Sequence, residues 1–239
     1  MSFTRVQGSG KVQTGLEGVG AGTFSVTNSL ADFTPGNLVT VELVHFAIPN
    51  TDLVTGVTIN GVSAIQRTVV AEPSSTVNQA QLWDAIVPSG SAHTVSVTVS
   101  GAASPDGHYM TVAITEWSFA GTLSRRAMTP TSANNSAPSI STDSGAVAGE
   151  LAISVFVIGD SGVRTLTAPS GWTTEFSEGD SNSHEGGGSA SKILSAGGVQ
   201  AATWGTGGVS LPWANVMVIY KETVAAQVAN SQFMAAASG

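Results

Sequence analysis

The dominant apolar stretch, Leu38-Val39-Thr40-Val41-Glu42-Leu43-Val44-His45-Phe46, follows Pro35-Gly36-Asn37 and is rich in β-branched residues. That pattern predicts a buried strand entered from a turn, too short and too broken to be a membrane helix. A weaker copy, Leu151-Ala152-Ile153-Ser154-Val155-Phe156-Val157, follows Gly149-Glu150. Other segments alternate apolar and polar positions. In His93 to Ser100, His93, Val95, Val97 and Val99 share one face and hydroxyls the other. Thr23 to Leu30, Gln79 to Val87 and Tyr109 to Phe119 read as further strands, with Met110, Val112 and Ile114 on the inner face of the last. Asn60-Gly61 between β-branched runs predicts a hairpin.

The same order returns in the second half. Leu151 follows Leu38 by 113 positions (151 − 38), Gly171 follows Gly61 by 110 (171 − 61), and Trp213 follows Tyr109 by 104 (213 − 109). A shrinking offset is expected where loops shorten and strands are kept, so the chain reads as a divergent internal repeat. The expected fold is all-β: two tandem jelly-roll-like antiparallel β-sandwiches with extended N- and C-terminal arms. The expected divisions are a Gly-rich arm over 1–23, a first lobe over 24–121, a linker over 122–138, a second lobe over 139–222 and an Ala-rich arm over 223–239. Apolar residues on the arms, Phe3, Val6, Val12 and Leu16 at one end and Val224, Val228, Phe233 and Met234 at the other, are the expected partner-binding set, because they are costly to leave in water.

Composition narrows the function. Charged residues make up 10 % of the 239 and the net charge is −8. A surface so poor in charge suits a protein covered by partners, including copies of itself. The eight Lys and Arg are scattered, which argues against nucleic acid. There is no cysteine, hence neither disulfide nor thiolate metal site. The first residues have no apolar core of a secretory signal, and no run is long enough for a membrane span, so synthesis in the cytoplasm without a signal peptide is expected.

Several phrases carry a family resemblance: Thr34-Pro35-Gly36-Asn37-Leu38-Val39-Thr40-Val41, Val57-Thr58-Ile59-Asn60-Gly61-Val62, Gln81-Leu82-Trp83-Asp84-Ala85, Ala113-Ile114-Thr115-Glu116-Trp117, and in the second half Ala168-Pro169-Ser170-Gly171-Trp172-Thr173 and Trp213-Ala214-Asn215-Val216-Met217-Val218. Together they resemble the repeating β-sandwich modules of tailed-phage virion proteins, over roughly residues 24–222. The resemblance implies a non-enzymatic virion protein of the bacteriophage particle. Its first expected role is capsid decoration and its second a tail or fibre component, with the major capsid protein or tail proteins as partners. It brings no catalytic residues and no cofactor.

Candidate chemistry is sparse. Gly159-Asp160-Ser161-Gly162 has the look of a serine-protease nucleophile motif with His45 and Asp84 in the required order, but its continuation differs and a turn is the simpler reading. Ser189-Ala190-Ser191-Lys192 fits a Ser-x-x-Lys pattern that works on a helix, whereas this context is strand-like. In the acidic loop 175–185, Glu178, Asp180, Asn182 and Glu185 are weak candidates for a Ca²⁺ ion, with spacing unlike an EF-hand. His45, His93, His108 and His184 are too dispersed for a zinc site. Trp172, following Pro169-Ser170-Gly171 in a turn, is the candidate for stacking a sugar ring, which defines the alternative function of a carbohydrate-binding adhesin holding a host polysaccharide.

Overall fold

A computed structural model of the chain describes residues 3–16, 22–26, 28–47, 53–75, 78–88, 92–100, 108–159, 165–179 and 186–223. Every regular element among them is a strand. The first set is β1 (Thr4–Gly8), β2 (Val12–Leu16), β3 (Gly22–Val26), β4 (Leu38–Ala47), β5 (Leu53–Ile59), β6 (Val62–Ser63), β7 (Ile65–Ala71), β8 (Gln79–Ile86), β9 (Val95–Ser100) and β10 (His108–Ser118). The second is β11 (Thr122–Ala127), β12 (Thr131–Asn135), β13 (Ser139–Ser141), β14 (Leu151–Ile158), β15 (Thr173–Glu178), β16 (Gly187–Ile193), β17 (Ala201–Thr203) and β18 (Leu211–Thr223).

In the first set the antiparallel pairs are nested: β1 and β2 on β10, β3 on β9, β4 on β8, β5 on β6. Nesting of this kind rolls one long hairpin into a jelly-roll sandwich. One sheet runs β1-β10-β4-β8-β7, with β2 also on β10, and the other β3-β9-β5-β6. Turn chemistry supports it. Asn60 (φ 50) and Gly61 (φ 77) both take the left-handed conformation that a type I′ hairpin requires. Gly36 (φ 86) closes the Thr34–Asn37 turn that launches β4, and Glu116 holds that turn by accepting from Thr34 N (2.8 Å) and Asn37 Nδ2 (2.7 Å).

The second set repeats the strand order. Its large sheet is β11-β18-β14-β16-β15, with β12 also on β18, and its small sheet pairs β13 with β17. Gly149 (φ 87) stands before β14 as Gly36 stands before β4. Registers correspond too. Leu38 faces Trp117 and Ile86; Leu151 faces Tyr220 and Ile193.

Four sheets stack into three cores. Odd residues of β4, such as Val41 and Leu43, pack with Met110, Val112, Val95 and Val97 between the two sheets of the first set. Phe156, Trp204, Met217 and Ile219 fill the second set. The middle core joins the two large sheets face to face through Leu38, Val44, Leu82 and Trp117 on one side and Leu151, Ile153, Val155, Val218 and Tyr220 on the other. Strands β14 and β18 are therefore buried on both faces, which explains their near-continuous apolar sequence.

Two segments differ from the sequence expectation. Residues 4–8 and 12–16, expected in an arm, are strands of the chain's own sheet, and residues 122–127 and 131–135, expected in a linker, are strands on β18. The reason is the length of β10 and β18: each of these long strands presents an edge that takes two short partners, satisfying backbone groups that would otherwise face solvent. The remainder of the expected C-terminal arm, from residue 224, lies outside the described residues.

Candidate functional site

The seam between the two large sheets holds three buried carboxyl groups, those of Glu42, Asp84 and Glu175. A strand pairing repeats side chains on one face every second residue, so Thr40, Glu42 and Asp84 point into the seam beside Leu38 and Leu82. A bulge between Gln66 and Thr68 turns Arg67 toward it as well. Asp84 is fully buried and accepts from Arg67 at 2.7 and 2.8 Å, from Arg125 Nε at 3.1 Å and from the Tyr220 hydroxyl at 3.0 Å. Arg125 and Tyr220 come from the opposite sheet, so this carboxylate ties the sheets together. Its hydrogen bond holds the Arg67 guanidinium above the ordinary arginine value against the effect of partial burial, while burial and then the Asp84 charge push the Tyr220 hydroxyl well above the usual phenol range.

A second junction lies across the seam in matching register. Arg5 faces Trp117 as Arg125 faces Tyr220. Ser191 stands two residues before Ile193 as Asp84 stands two before Ile86, and Thr173 pairs with Ser191 as Ile65 pairs with Asp84. A bulge between Thr174 and Phe176 turns Glu175 inward as the other bulge turns Arg67. Here Glu175 accepts from Arg5 Nη2 at 2.6 Å, Arg5 Nε at 3.3 Å and the Ser191 hydroxyl at 2.7 Å. Each large sheet thus sends an arginine from its first strand to a carboxylate of the other. Gly8 permits the Arg5 reach, because a Cβ there would lie 2.0 Å from the guanidinium.

Glu42 sits between the junctions. It is fully buried, takes the Thr115 hydroxyl at 3.4 Å, and its Oε1 has no hydrogen-bond partner among the described residues. Burial, and then the charge of Glu175, raise its pKa to about 8, so it is a neutral acid at pH 7.

The second junction opens to solvent as a cleft of about 380 Å³, lined by Arg5, Trp117, Thr173, Ser191, Lys192 and Ile193 among others. The Lys192 ammonium lies 5.9 Å from the Trp172 ring centroid and donates to Gln200 Oε1 at 3.2 Å.

The sequence candidates fall elsewhere. Phe3 is buried in the seam beside Phe119 and Val12 packs on the first core, so both are committed to the chain's own interior; Val6, at the β1 bulge, is 48 % exposed. Leu16 lies on β2, and its side chain is outside the described residues, as are Val224, Val228, Phe233 and Met234. Trp172 is 8 % exposed and donates its indole N–H to Ala201 O at 3.2 Å, and Trp83, Trp117, Trp204 and Trp213 are buried as well. Trp172 offers no stacking platform: the turn that follows Pro169 folds the ring inward onto the second core. Glu178 bonds Lys11 and the Thr111 hydroxyl; Asp180, Asn182 and Glu185 lie outside the described residues, among which no group of metal-ligating side chains occurs. His45 and Asp84 lie on opposite faces of their sheet, Ser189 and Lys192 on opposite faces of β16, and Asp160 to Gly162 fall outside the description. Sequence reading missed Arg5, Arg67, Arg125 and Glu175; for Arg5 and Arg67 the signal is a single charge inside an otherwise uncharged strand, while Arg125 and Glu175 each share their strand with a second charge of the same sign. Among the described residues no helix is long and apolar enough to cross a membrane.

No protein-family model matches the chain, and no curated protein matches its sequence. Among solved structures, the crystal structure of the major capsid protein P2 from bacteriophage PM2 is similar over 95 % of this chain and 98 % of that chain, at 10 % identity and a TM-score of 0.27.

Proposed function

We propose that the chain is a non-enzymatic structural protein of a virion, and that its role is capsid decoration. The observation that carries the reading is the polarity of the stacked sheets. The chain enters at Phe3 and Thr4, opposite Ser118, and leaves at Thr223, opposite Thr122, so both ends of the described chain meet at one pole. Ile86 and Ile193, each about two-fifths exposed, occupy corresponding places in the Leu38 and Leu151 rows at that pole. A rigid block with one apolar-flanked pole suits attachment to a lattice, where many weak copies act together. The buried junctions serve to make the block rigid rather than to perform chemistry.

Cryo-EM of particles that contain the protein tests this. The expected map shows the four stacked sheets on the capsid surface with the Ser118–Thr122 pole toward the shell. Density confined to the tail would replace decoration by a tail or fibre role, and copurified particles with no density for the protein on either shell or tail would overturn a virion role altogether.

A further inference from the structure

The two junctions of the seam are built on matched positions, and the second opens to a cleft. At the first, the Asp84 carboxylate fills the middle between Arg125, Arg67 and Tyr220, and Ile65 flanks it. At the second, those places hold Ser191 and Thr173, both smaller and hydroxylated, and Arg5 turns to Glu175. What remains is the 380 Å³ cleft. Its volume lies in the range of sites for small ligands.

Its lining specifies a chemistry. Arg5 spends Nε and Nη2 on Glu175, and its side chain stays 37 % exposed, which leaves Nη1 as a charged donor at the cleft. Thr173, Ser191 and Ser195 bring hydroxyls, Ile193 and the edge of Trp117 an apolar wall, and Lys192 a second positive charge nearby. At the first junction the matched arginine, Arg125, donates to a carboxylate that also accepts from the Tyr220 hydroxyl, the kind of contact that the remaining Arg5 donor can make with a ligand.

We propose that this cleft binds one acidic sugar residue, its carboxylate on Arg5 and its hydroxyls on Thr173, Ser191 and Ser195. The site is a binding site only, with no bond made or broken. It stands independently of the virion reading, since it rests on the asymmetry of the two junctions.

The test is titration of the ¹⁵N-labelled full chain with glucuronate, with glucose, acetate and inorganic phosphate as comparison ligands. Two variants accompany it: Thr173→Ile, which installs the residue found at the matched position of the first sheet, and Lys192→Gln. Thr173 is exposed on an edge strand, where isoleucine is well tolerated, and Lys192→Gln keeps a long polar side chain at a half-buried position, so both variants are expected to fold. Saturable glucuronate shifts at Arg5, Thr173, Ser191 and Ser195, weakened about tenfold or more in Thr173→Ile and less in Lys192→Gln, support the proposal. Equal binding of acetate or phosphate overturns the sugar assignment. Absence of saturation at roughly 50 mM glucuronate, or an unchanged titration in Thr173→Ile, overturns the site itself.

Discussion

Glu42 is a carboxyl group placed where only its neutral form is comfortable. Its pKa is near 8 in the folded chain and has the ordinary carboxylate value of 4.5 when unfolded. Between those values the unfolded chain releases a proton that the folded chain retains, so stability falls as pH rises from about 4.5 and levels off above about 8. The groups facing Glu42 across the seam, Glu175 on β15 and the Tyr220 hydroxyl on β18, offer it no positive charge. Glu42→Gln is expected to flatten this slope and to be the more stable form at pH 8 to 9, by a few kcal/mol on the scale set by linkage. Chemical unfolding of both forms across that range decides the matter, and parallel slopes would contradict it. Among the described residues, Asp84 is the acceptor that Arg67 and Arg125 share. Asp84→Asn strands both of them, and a loss of about 3 kcal/mol is expected, appearing as a lower denaturation midpoint. In a double-mutant cycle Asp84→Asn and Arg125→Gln should be clearly non-additive; additive costs would mean that the cross-seam bond contributes nothing.

At the scale of elements, the most telling strand is β16. Its Gly187-Gly188 start reads in sequence as the end of a loop, yet both residues are paired strand positions. A Cβ on Gly188 would meet the Trp204 ring at 2.5 Å, and one on Gly187 would meet Val44 of the facing sheet at 2.8 Å. Glycine is there so that neighbours can approach, not so that the chain can bend. Gly188→Ala is expected to cost about 1 to 3 kcal/mol through overpacking, read as a fall in Tm with an altered tryptophan emission from Trp204. Strands β4 and β14 were legible because a short apolar stretch rich in β-branched residues and entered from a glycine turn has few other uses, and the Asn60-Gly61 hairpin because its turn chemistry is local. The pairing of β1, β2, β11 and β12 was not legible: these strands are polar or glycine-bearing, and what fixes them is a long partner distant in sequence. The offset of the last strand was misjudged for a related reason. Pairing with Leu38 and Leu151 makes Tyr220 the counterpart of Trp117, 103 positions apart (220 − 117) rather than 104. A single step exchanges the two faces of a strand, and β18 is apolar on both, so alternation carried no information there. The cation–carboxylate junctions were hidden too, because bulges at Arg67 and Glu175 aim side chains against the period of two.

Across the whole molecule, the middle core couples everything to either side of it. Because Leu38, Leu82 and Trp117 can leave water only against Leu151, Ile153 and Tyr220, neither half can lose its large sheet without exposing the other's. A single calorimetric transition is therefore expected, with calorimetric and van't Hoff enthalpies in agreement; two resolved transitions would mean that the seam is weaker than its burial implies. The meeting of the chain's entry and exit at one pole has a further consequence, for portability. Thr4 pairs with Ser118 and Thr223 with Thr122, and only four peptide steps separate Ser118 from Thr122. Thr4 and Thr223 are therefore at most about 25 Å apart, from an extended link plus two strand spacings. A block of this kind can be spliced as a cassette into an exposed loop of an unrelated protein without unrolling either sandwich, as insertions with neighbouring ends generally permit.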